Sequence, residues 1–275
     1  MIILYLLIIL ILWKIYFCLQ KESFEKKKNK KAKKKKLTFI IPIRDRENDL
    51  EHLISQLKKI LKYQNIYYKI YIIEQSFNKK LFNKGKIINA AFKESLKDNF
   101  SNIYIIHDVD NIPLTNDIIN YYYDKNNVNH YYGEKHCLGC FFSITKKYFT
   151  KVNGFSNSYW GWGCEDNDFQ RRIKLHNIKI DRKNFIKRRS TKLIKDELSW
   201  SDSKKNYYIN NKYINKINPK MKNKLLLYKI WKSKLKKDHI IKIVSLDGLS
   251  NCKYKVKKKY FYKDDKNIIR ILIDI

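Results

Sequence analysis

Short apolar strands alternate with amphipathic helices from residue 37 onward. Residues 37–43 form a continuous apolar run typical of a buried strand, and apolar residues then recur at helical spacing: Leu50, Leu53, Ile54, Leu57 and Leu61. Further strands are predicted over 69–73 and 103–106, with a helix around 86–96 between them. This order implies right-handed crossovers and a mainly parallel, Rossmann-like α/β sheet.

The first twenty residues differ from the rest of the chain. Residues 2–19 are apolar except for Lys14, with aromatic side chains near one end, which predicts a membrane anchor over 1–20. A cleaved signal peptide is the alternative, but no basic segment precedes the apolar run and no small-residue cleavage site follows it. The Lys-rich stretch 21–36 is predicted to be a basic linker.

The C-terminal third is predicted to be helical before it returns to the sheet. Residues 185–239 are dense in Lys, Asn and Tyr, and apolar positions within them indicate helices. Two closing strands are predicted over 240–244 and 268–275. Residues 37–275 are therefore expected to form one domain.

Composition and charge limit the class of protein. The 275 residues are 44% hydrophobic and 15% aromatic, which excludes a disordered basic chain. A net charge of +34 favours polyanionic partners, but outside Lys26–Lys36 the lysines and arginines are scattered. Since no nucleic-acid-binding motif collects them, nucleic acid is disfavoured as the main partner.

Cysteine usage does not predict a disulfide framework. Cys137 and Cys140 form a C-x-x-C step, but no second such pair and no Cys/His set at zinc spacing follows. Buried thiols are the favoured interpretation, and pairing of Cys137 with Cys140 stays open.

Polar residues follow each predicted strand of the first half. They are expected around one crevice, because ligands bind at the carboxyl ends of parallel strands: Arg44, Asp45, Arg46, Glu74, Gln75, Asp108 and Asp110. The first strand lacks a G-x-G-x-x-G turn, which disfavours a dinucleotide site. Two arginines at a strand end suit a diphosphate, and a surface ion pair with Asp45 or Glu47 is the alternative.

Two further motifs carry candidate chemistry. Asp108 and Asp110 form a D-x-D whose hard oxygen ligands suit Mg²⁺ or Mn²⁺ bound to phosphate. In residues 159–168 two tryptophans alternate with glycines, ahead of an acidic cluster that begins a helix. Such an aromatic loop could close over a sugar ring; core tryptophans and helix-capping carboxylates are the alternative.

Six segments, in this order and spacing, resemble one known family. They are F-I-I-P-I-R-D-R (39–46), E-Q (74–75), F-N-K-G-K-I-I-N (82–89), H-D-V-D-N-I-P-L (107–114), N-G-F (153–155) and W-G-W-G-C-E-D-N-D-F-Q-R-R-I (160–173). The chain resembles the β-1,4-galactosyltransferases, glycosyltransferase family 7, over residues 37–182. Through H-D-V-D and E-D-x-x-F-x-R-R-I-K it is most similar to the xylosylprotein 4-β-galactosyltransferase branch.

The resemblance implies a GT-A catalytic domain that transfers a hexose, with galactose expected, from a UDP-sugar to an acceptor hydroxyl with inversion. It implies Mn²⁺ as cofactor, with Mg²⁺ as an alternative, and a glycan or glycoprotein acceptor on the side of residues 185–239. Asp166 would be the catalytic base with Glu165 beside it, and Asp110 would bind the metal. Donor binding would fall to Pro42, Arg44, Arg46, Phe82, Lys84, Asp108 and Trp162. Acceptor binding would fall to Trp162, Gly163, Asp166 and Asn167.

The sequence departs from the family pattern at three places. Residues 137–140 replace the family's Tyr/Phe-Gly-Gly at the donor pocket, and Asn167 replaces the second Asp of its E-D-D triad. The histidines that complete the family's metal site are absent, which leaves Asp196 or Glu197 as substitutes. His107 and His176 are further alternatives.

These departures keep two other functions open. The chain could be a catalytically inactive relative that binds a sugar or nucleotide, or a basic polyanion-binding protein. Location is equally open: the resemblance implies a single-pass protein with its catalytic domain in a Golgi-type lumen, whereas the basic flank favours a cytoplasmic catalytic side.

Overall fold

The computed structural model describes residues 35–121, 127–196, 219–232 and 235–275, together with residue 14. The predicted anchor and most of the predicted linker lie outside these residues. Lys36–Ile275 form one compact unit. Within the described ranges, no helix is both long enough and apolar enough to cross a membrane.

Three parallel strands form the centre of the fold. β1 (Lys36–Ile43) pairs in parallel with β2 (Tyr67–Gln75) on one side and with β3 (Ile103–His107) on the other. Helix α1 (Glu47–Tyr63) connects β1 to β2, and helix α2 (Lys84–Leu96) connects β2 to β3. These elements confirm the strands and helices predicted for the first half of the chain.

Alternation along β1 divides the core into two layers. Phe39 and Ile41 pack in the same cluster as the leucine face of α1, whereas Ile40 packs in the cluster that contains α2. Because successive strand residues point to opposite faces, a continuous apolar run can cover both helical layers. The result is a sheet with helices on both faces.

The sheet continues on the far side of β3 through β6 (Phe141–Thr145) and β5 (Val128–Gly133). β7 (Ile180–Asp181) and β8 (Ile186–Lys187) both pair with β5. A separate two-stranded ladder joins β4 (Asn111–Pro113) to β9 (Ile194–Asp196).

The expectation of a mainly parallel sheet needs correction, because the sheet is mixed. β6 pairs antiparallel with both β3 and β5, and β10 (Lys255–Phe261) pairs antiparallel with β11 (Ile268–Asp274). β11 then pairs in parallel with β2. Among the described residues the order of the main sheet is β10-β11-β2-β1-β3-β6-β5-β7.

The remaining helices are α3 (Lys146–Lys151), α4 (Glu165–Leu175), α5 (Pro219–Trp231) and α6 (Lys237–Ser245). The closing strand predicted over 240–244 is wrong, since those residues lie in α6. Its β-branched run is typical of a strand, but Val244 is fully buried while Ile243 is exposed, as on a helix with one packed face. β10 was not predicted, because its lysines hide the strand pattern.

Candidate active site

The carboxyl ends of β1, β2 and β3 meet at one edge of the sheet, as expected for parallel neighbours. Just beyond β1, Arg44 donates to the Lys80 carbonyl at 2.9 Å, and its guanidinium lies 5.4 Å from the centre of the Phe82 ring. Arg46 forms an ion pair with Asp49 at 2.8 Å. Pro42 is buried within β1.

The segment that follows β2 is fixed by Gln75. Its carboxamide accepts a hydrogen bond from the Asn83 backbone N–H and donates one to the Leu81 carbonyl, both at 2.8 Å. Asn83 in turn caps α2 through the Lys86 N–H. Phe82 and Lys84 are therefore held by a rigid turn. Glu74, expected in the crevice, instead forms an ion pair with Arg270 of β11 at 2.9 Å.

Lys84 joins two carboxylates from distant parts of the chain. Its Nζ lies 2.8 Å from Asp108 Oδ1 and 3.1 Å from Asp166 Oδ1. The Lys84 side chain is only 12% exposed, and the two carboxylates raise its pKa well above the ordinary value although burial opposes this. The amino group is therefore a fixed positive charge between Asp108 and Asp166.

Asp166 lies in the first turn of α4 and is closely packed against residues 138 and 139. Its backbone carbonyl accepts from Leu138 N–H at 3.1 Å, and a Cβ at Gly139 would lie 2.5 Å from its Oδ2. Burial, together with the charges of Glu165 and Asp108, raises the pKa of Asp166 to about 8. Burial also raises the pKa of Glu165, whose Oε2 is enclosed and has no hydrogen-bond partner among the described residues.

The loop over residues 156–164, here called the Trp loop, lies directly before α4. Gly161, Gly163 and Cys164 have φ angles of 75°, 104° and 78°, a region that glycine adopts most readily. Gly161 N–H donates to the Phe82 carbonyl at 2.7 Å, which links the loop to the segment after β2. The Trp162 side chain is 52% exposed, and Lys220 Nζ lies 4.7 Å from its ring centre.

The base of the Trp loop is tied to the turn that follows α6. Asp247 accepts hydrogen bonds from the Ser156 hydroxyl and from the Asn157 backbone N–H. Its backbone carbonyl accepts from the buried Arg172 at 2.7 Å, and Arg172 pairs with the buried Asp168 at 2.6 Å. The sequence analysis did not predict this role of Asp247, because its partner Asn157 lies 90 residues away in the chain.

The D-x-D continues into the small β4–β9 ladder. Asp110 is half-buried just before β4, and Asn111 pairs with Asp196 of β9. The backbone of Asp196 is therefore one register step from Asp110, whereas Glu197 lies outside the described residues. No group of three or more His, Cys, Asp or Glu that could hold a metal occurs within the described part of the chain.

The two alternative histidines have structural surroundings. His107 is buried, donates from Nδ1 to the Asp108 carbonyl at 2.9 Å and stacks on Phe141 at 4.4 Å. Burial lowers the pKa of His107 to about 4, which keeps the ring neutral. His176 follows the last turn of α4, about 15 Å along the helix from its acidic first turn.

Residues 137–140, which replace the family's Tyr/Phe-Gly-Gly, contact Asp166 through Leu138 and Gly139. Cys137 and Cys140 are free thiols, and burial raises the pKa of Cys137 to about 12, so it stays protonated. Cys140 contributes its carbonyl to the Asp108 N–H at 2.8 Å. Asn167 donates to the His136 carbonyl at 3.1 Å, which ties α4 to the same turn.

This arrangement brings two arginines, a D-x-D, a partly buried carboxyl and an aromatic loop to one edge of the sheet. The fold is that of the GT-A glycosyltransferases. The crystal structure of a Drosophila β-1,4-galactosyltransferase 7 mutant in complex with manganese, UDP-Gal and xylobiose matches it with a TM-score of 0.64 and 22% identity, over 88% of this chain and 94% of that one. A second structure of that Drosophila enzyme, with xylobiose, matches with a TM-score of 0.61 and 21% identity, over the same shares of both chains.

Sequence comparison narrows the class to a family. The model for the N-terminal region of glycosyl transferase group 7 matches residues 17–124, and the model for the N-terminal domain of galactosyltransferase matches residues 121–196. The chain belongs to glycosyltransferase family 7, as its motifs predicted.

Individual relatives agree with this assignment. β-1,4-Galactosyltransferase 4 of Cricetulus griseus is 35% identical over 157 residues, covering 54% of this chain and 45% of the relative. β-1,4-Galactosyltransferase 1 of Bos taurus is 34% identical over 159 residues, covering 55% and 39%. The chain therefore matches less than half the length of these curated relatives.

Proposed function

We propose that this protein is an inverting glycosyltransferase that moves a hexose, galactose being the expected sugar, from a UDP-sugar to a sugar hydroxyl. The observation that carries the proposal is the position of Asp166. This carboxyl lies within hydrogen-bond distance of Lys84, beside the D-x-D, and directly after a loop that presents an exposed tryptophan. Donor, base and acceptor surface would then share one crevice.

Donor binding would use the positive groups at the strand ends. Arg44 and Arg46 carry planar forks that suit diphosphate oxygens, and Lys84 adds a fixed charge at the bottom of the crevice. Arg44 also lies against Phe82, which leaves an aromatic surface for the uracil. Their present partners are a backbone carbonyl and the Asp49 carboxylate, so each arginine would exchange one such partner for diphosphate oxygens on binding the donor.

Asp166 would act as the base. The acceptor oxygen attacks the anomeric carbon as the bond to the UDP β-phosphate breaks, and the acceptor proton passes to the Asp166 carboxylate. The raised pKa of about 8 gives this carboxyl a higher proton affinity than an exposed aspartate has. Glu165, enclosed at the same helix terminus, would hold the acceptor hydroxyl, with Trp162 and Gly163 beneath the sugar ring.

We propose Mn²⁺ as the cofactor, and the donor chemistry of the D-x-D fits it. Asp110 supplies a carboxylate, and β4–β9 pairing brings the backbone of Asp196 alongside. When bound, the ion would neutralise charge on the departing diphosphate. Two carboxylates without a histidine form an all-oxygen set, so Mg²⁺ should support activity better than it does at sites with nitrogen ligands.

The substrates are inferred from the relatives. The Drosophila neighbour was crystallised with UDP-Gal and xylobiose, which supports UDP-galactose and a glycan or glycoprotein acceptor here. The closeness to the xylosylprotein branch remains a proposal, because the sequence relatives quoted above are β-1,4-galactosyltransferases 4 and 1.

A UDP-release assay with Mn²⁺ tests the proposal. Asp110→Asn should lose Mn²⁺-dependent UDP binding and turnover together. Asp166→Asn should keep UDP affinity within a few-fold while turnover falls by roughly 10²–10⁴. The exposed residue Asp117 lies outside the crevice, and Asp117→Asn serves as the control. Near-normal transfer by folded Asp166→Asn protein would remove Asp166 from the catalytic role.

The same assay separates the alternatives. An inactive relative, suggested by Asn167 and the absent histidines, would bind UDP and Mn²⁺ but give no turnover with any UDP-hexose and either β-xyloside or GlcNAc acceptors. A polyanion-binding protein would bind heparin or DNA with a steep salt dependence that Asp110→Asn leaves unchanged.

We further propose attachment to a membrane through residues 1–20, with the catalytic domain in a Golgi-type lumen. The apolar composition of this segment supports attachment, and the family supports the lumen. The basic residues of 21–36 favour the opposite orientation. Protease treatment of intact vesicles distinguishes the two, because a luminal catalytic domain would be protected and a cytoplasmic one digested.

A further inference from the structure

The Trp loop is held from outside by one side chain of α5. Asn223 is 3% exposed, and its Nδ2 donates to the carbonyls of Trp160 at 3.1 Å and Gly163 at 3.0 Å. The Trp162 carbonyl lies at the longer distance of 3.5 Å. A single carboxamide thus faces the carbonyls of three residues in the tryptophan-glycine segment.

These carbonyls need such a partner. The backbone turns through positive φ angles at Gly161, Gly163 and Cys164, so the segment forms neither a helix nor a ladder that would satisfy its carbonyls. Two of the three residues with positive φ, Gly161 and Gly163, are glycines, which gain the most conformational freedom when a restraining hydrogen bond is removed. The hydrogen bonds from Asn223 therefore select one conformation of a segment with many alternatives.

The hydrogen bonds from Asn223 to the Trp loop, here called the clamp, lie close to the proposed catalytic base. The Gly163 carbonyl precedes Glu165 by two residues, and Cys164 N-caps α4 in a left-handed conformation without a side-chain capping bond. Fixing Gly163 therefore fixes the entry to the helix that carries Asp166. At its other end α5 is anchored to that helix, because Trp231 Nε1 donates to Asp168 at 2.7 Å.

We propose that Asn223 is a positioning residue that sets the Trp loop and the first turn of α4 for acceptor binding. This inference rests on the proposed function of the same site. Asn223 itself touches no reacting atom. Binding of the UDP part of the donor should depend on it much less than acceptor binding does, because Gln75 separately fixes the segment that contains Phe82 and Lys84.

The test compares Asn223→Asp with wild type. The carboxylate has the same shape but cannot donate, so two hydrogen bonds of normal length are lost. We expect kcat/KM for the acceptor to fall about tenfold to a hundredfold, mostly through KM, while UDP–Mn²⁺ affinity stays within about twofold. Asn223→Ser, which keeps one donor, should be intermediate. Lys222→Ala, an exposed change on the same helix, is the matched control.

Hydrogen exchange gives a readout that needs no turnover. In Asn223→Asp the peptide spanning 160–166 should exchange faster, while the peptides of β1 and β2 keep wild-type rates. If wild type transfers no sugar but this local acceleration occurs, the clamp stands and the proposed function fails. The clamp is refuted if folded Asn223→Asp or Asn223→Ser protein shows wild-type exchange in this peptide and wild-type acceptor KM.

Discussion

Replacing Asp166 by asparagine should stabilise the folded protein while it removes the proposed base. The Asp166 side chain is 20% exposed, and burial with the charges of Glu165 and Asp108 raises its pKa to about 8 even though Lys84 attracts the charged form. The folded environment as a whole therefore favours a neutral group at this position. Asparagine supplies one of the same shape.

The magnitude follows from linkage. The ordinary pKa of 3.8 rises to about 8, so between these values the unfolded chain has released a proton that the folded chain retains. Wild-type stability consequently falls as pH rises from about 4 to about 8, by at most ~1.4 kcal/mol per pH unit. At pH 7 this loss of wild-type unfolding free energy is at most roughly 4 kcal/mol. Since solvent still reaches the carboxyl and Lys84 loses one partner in the variant, we expect about 1–2 kcal/mol.

Urea unfolding of both proteins in EDTA measures this difference. The unfolding free energy of the variant should exceed that of wild type by more at pH 8 than at pH 5. The reason is that wild-type stability falls between these pH values, whereas the variant has no carboxyl at this position. Asp117→Asn, at an exposed position, should show no comparable trend. A variant that is less stable than wild type at pH 8, or a difference that does not change with pH, would refute the reasoning.

Three further outcomes follow from the same geometry. Gly139→Ala places a Cβ 2.5 Å from Asp166 Oδ2, so turnover in the UDP-release assay should fall about a hundredfold with UDP affinity retained. Arg172→Met leaves the buried Asp168 carboxylate without its ion-pair partner and should cost about 3–5 kcal/mol in urea unfolding. UDP with Mn²⁺ should raise the melting temperature in a thermal-shift assay, because ligands that bind the folded state stabilise it by mass action.

The central strands and the strand-end residues could be predicted because their signals are local. The apolar run of β1 follows from burial on both of its faces, and the leucine spacing of α1 follows from burial on one face. Once the strands are parallel neighbours, Arg44 and Asp108 must lie at the same edge. The resemblance then placed Asp166 in that crevice, where it contacts Lys84.

Contacts between distant residues were not predictable in the same way. Asn223 contacts the Trp loop across 60 residues of sequence. Residue 139 must lack a side chain because the Asp166 carboxylate, on α4, lies where a Cβ would be. Glu74 was expected to face the crevice, but its partner Arg270 comes from a strand 196 residues later. No periodicity encodes such partners, because they depend on which elements the tertiary fold brings together.

The position of β11 has a consequence for biosynthesis. This strand lies between β10 and β2, and Ser76 at the end of β2 bonds Asp274 from 198 residues further along the chain. At about 5–20 residues per second, β2 leaves the ribosome roughly 10–40 seconds before the strand that covers its edge. During that interval an apolar edge strand can pair with other chains. Production of this protein should therefore depend on chaperones that shield the nascent chain, and fragments that end before β11 should aggregate.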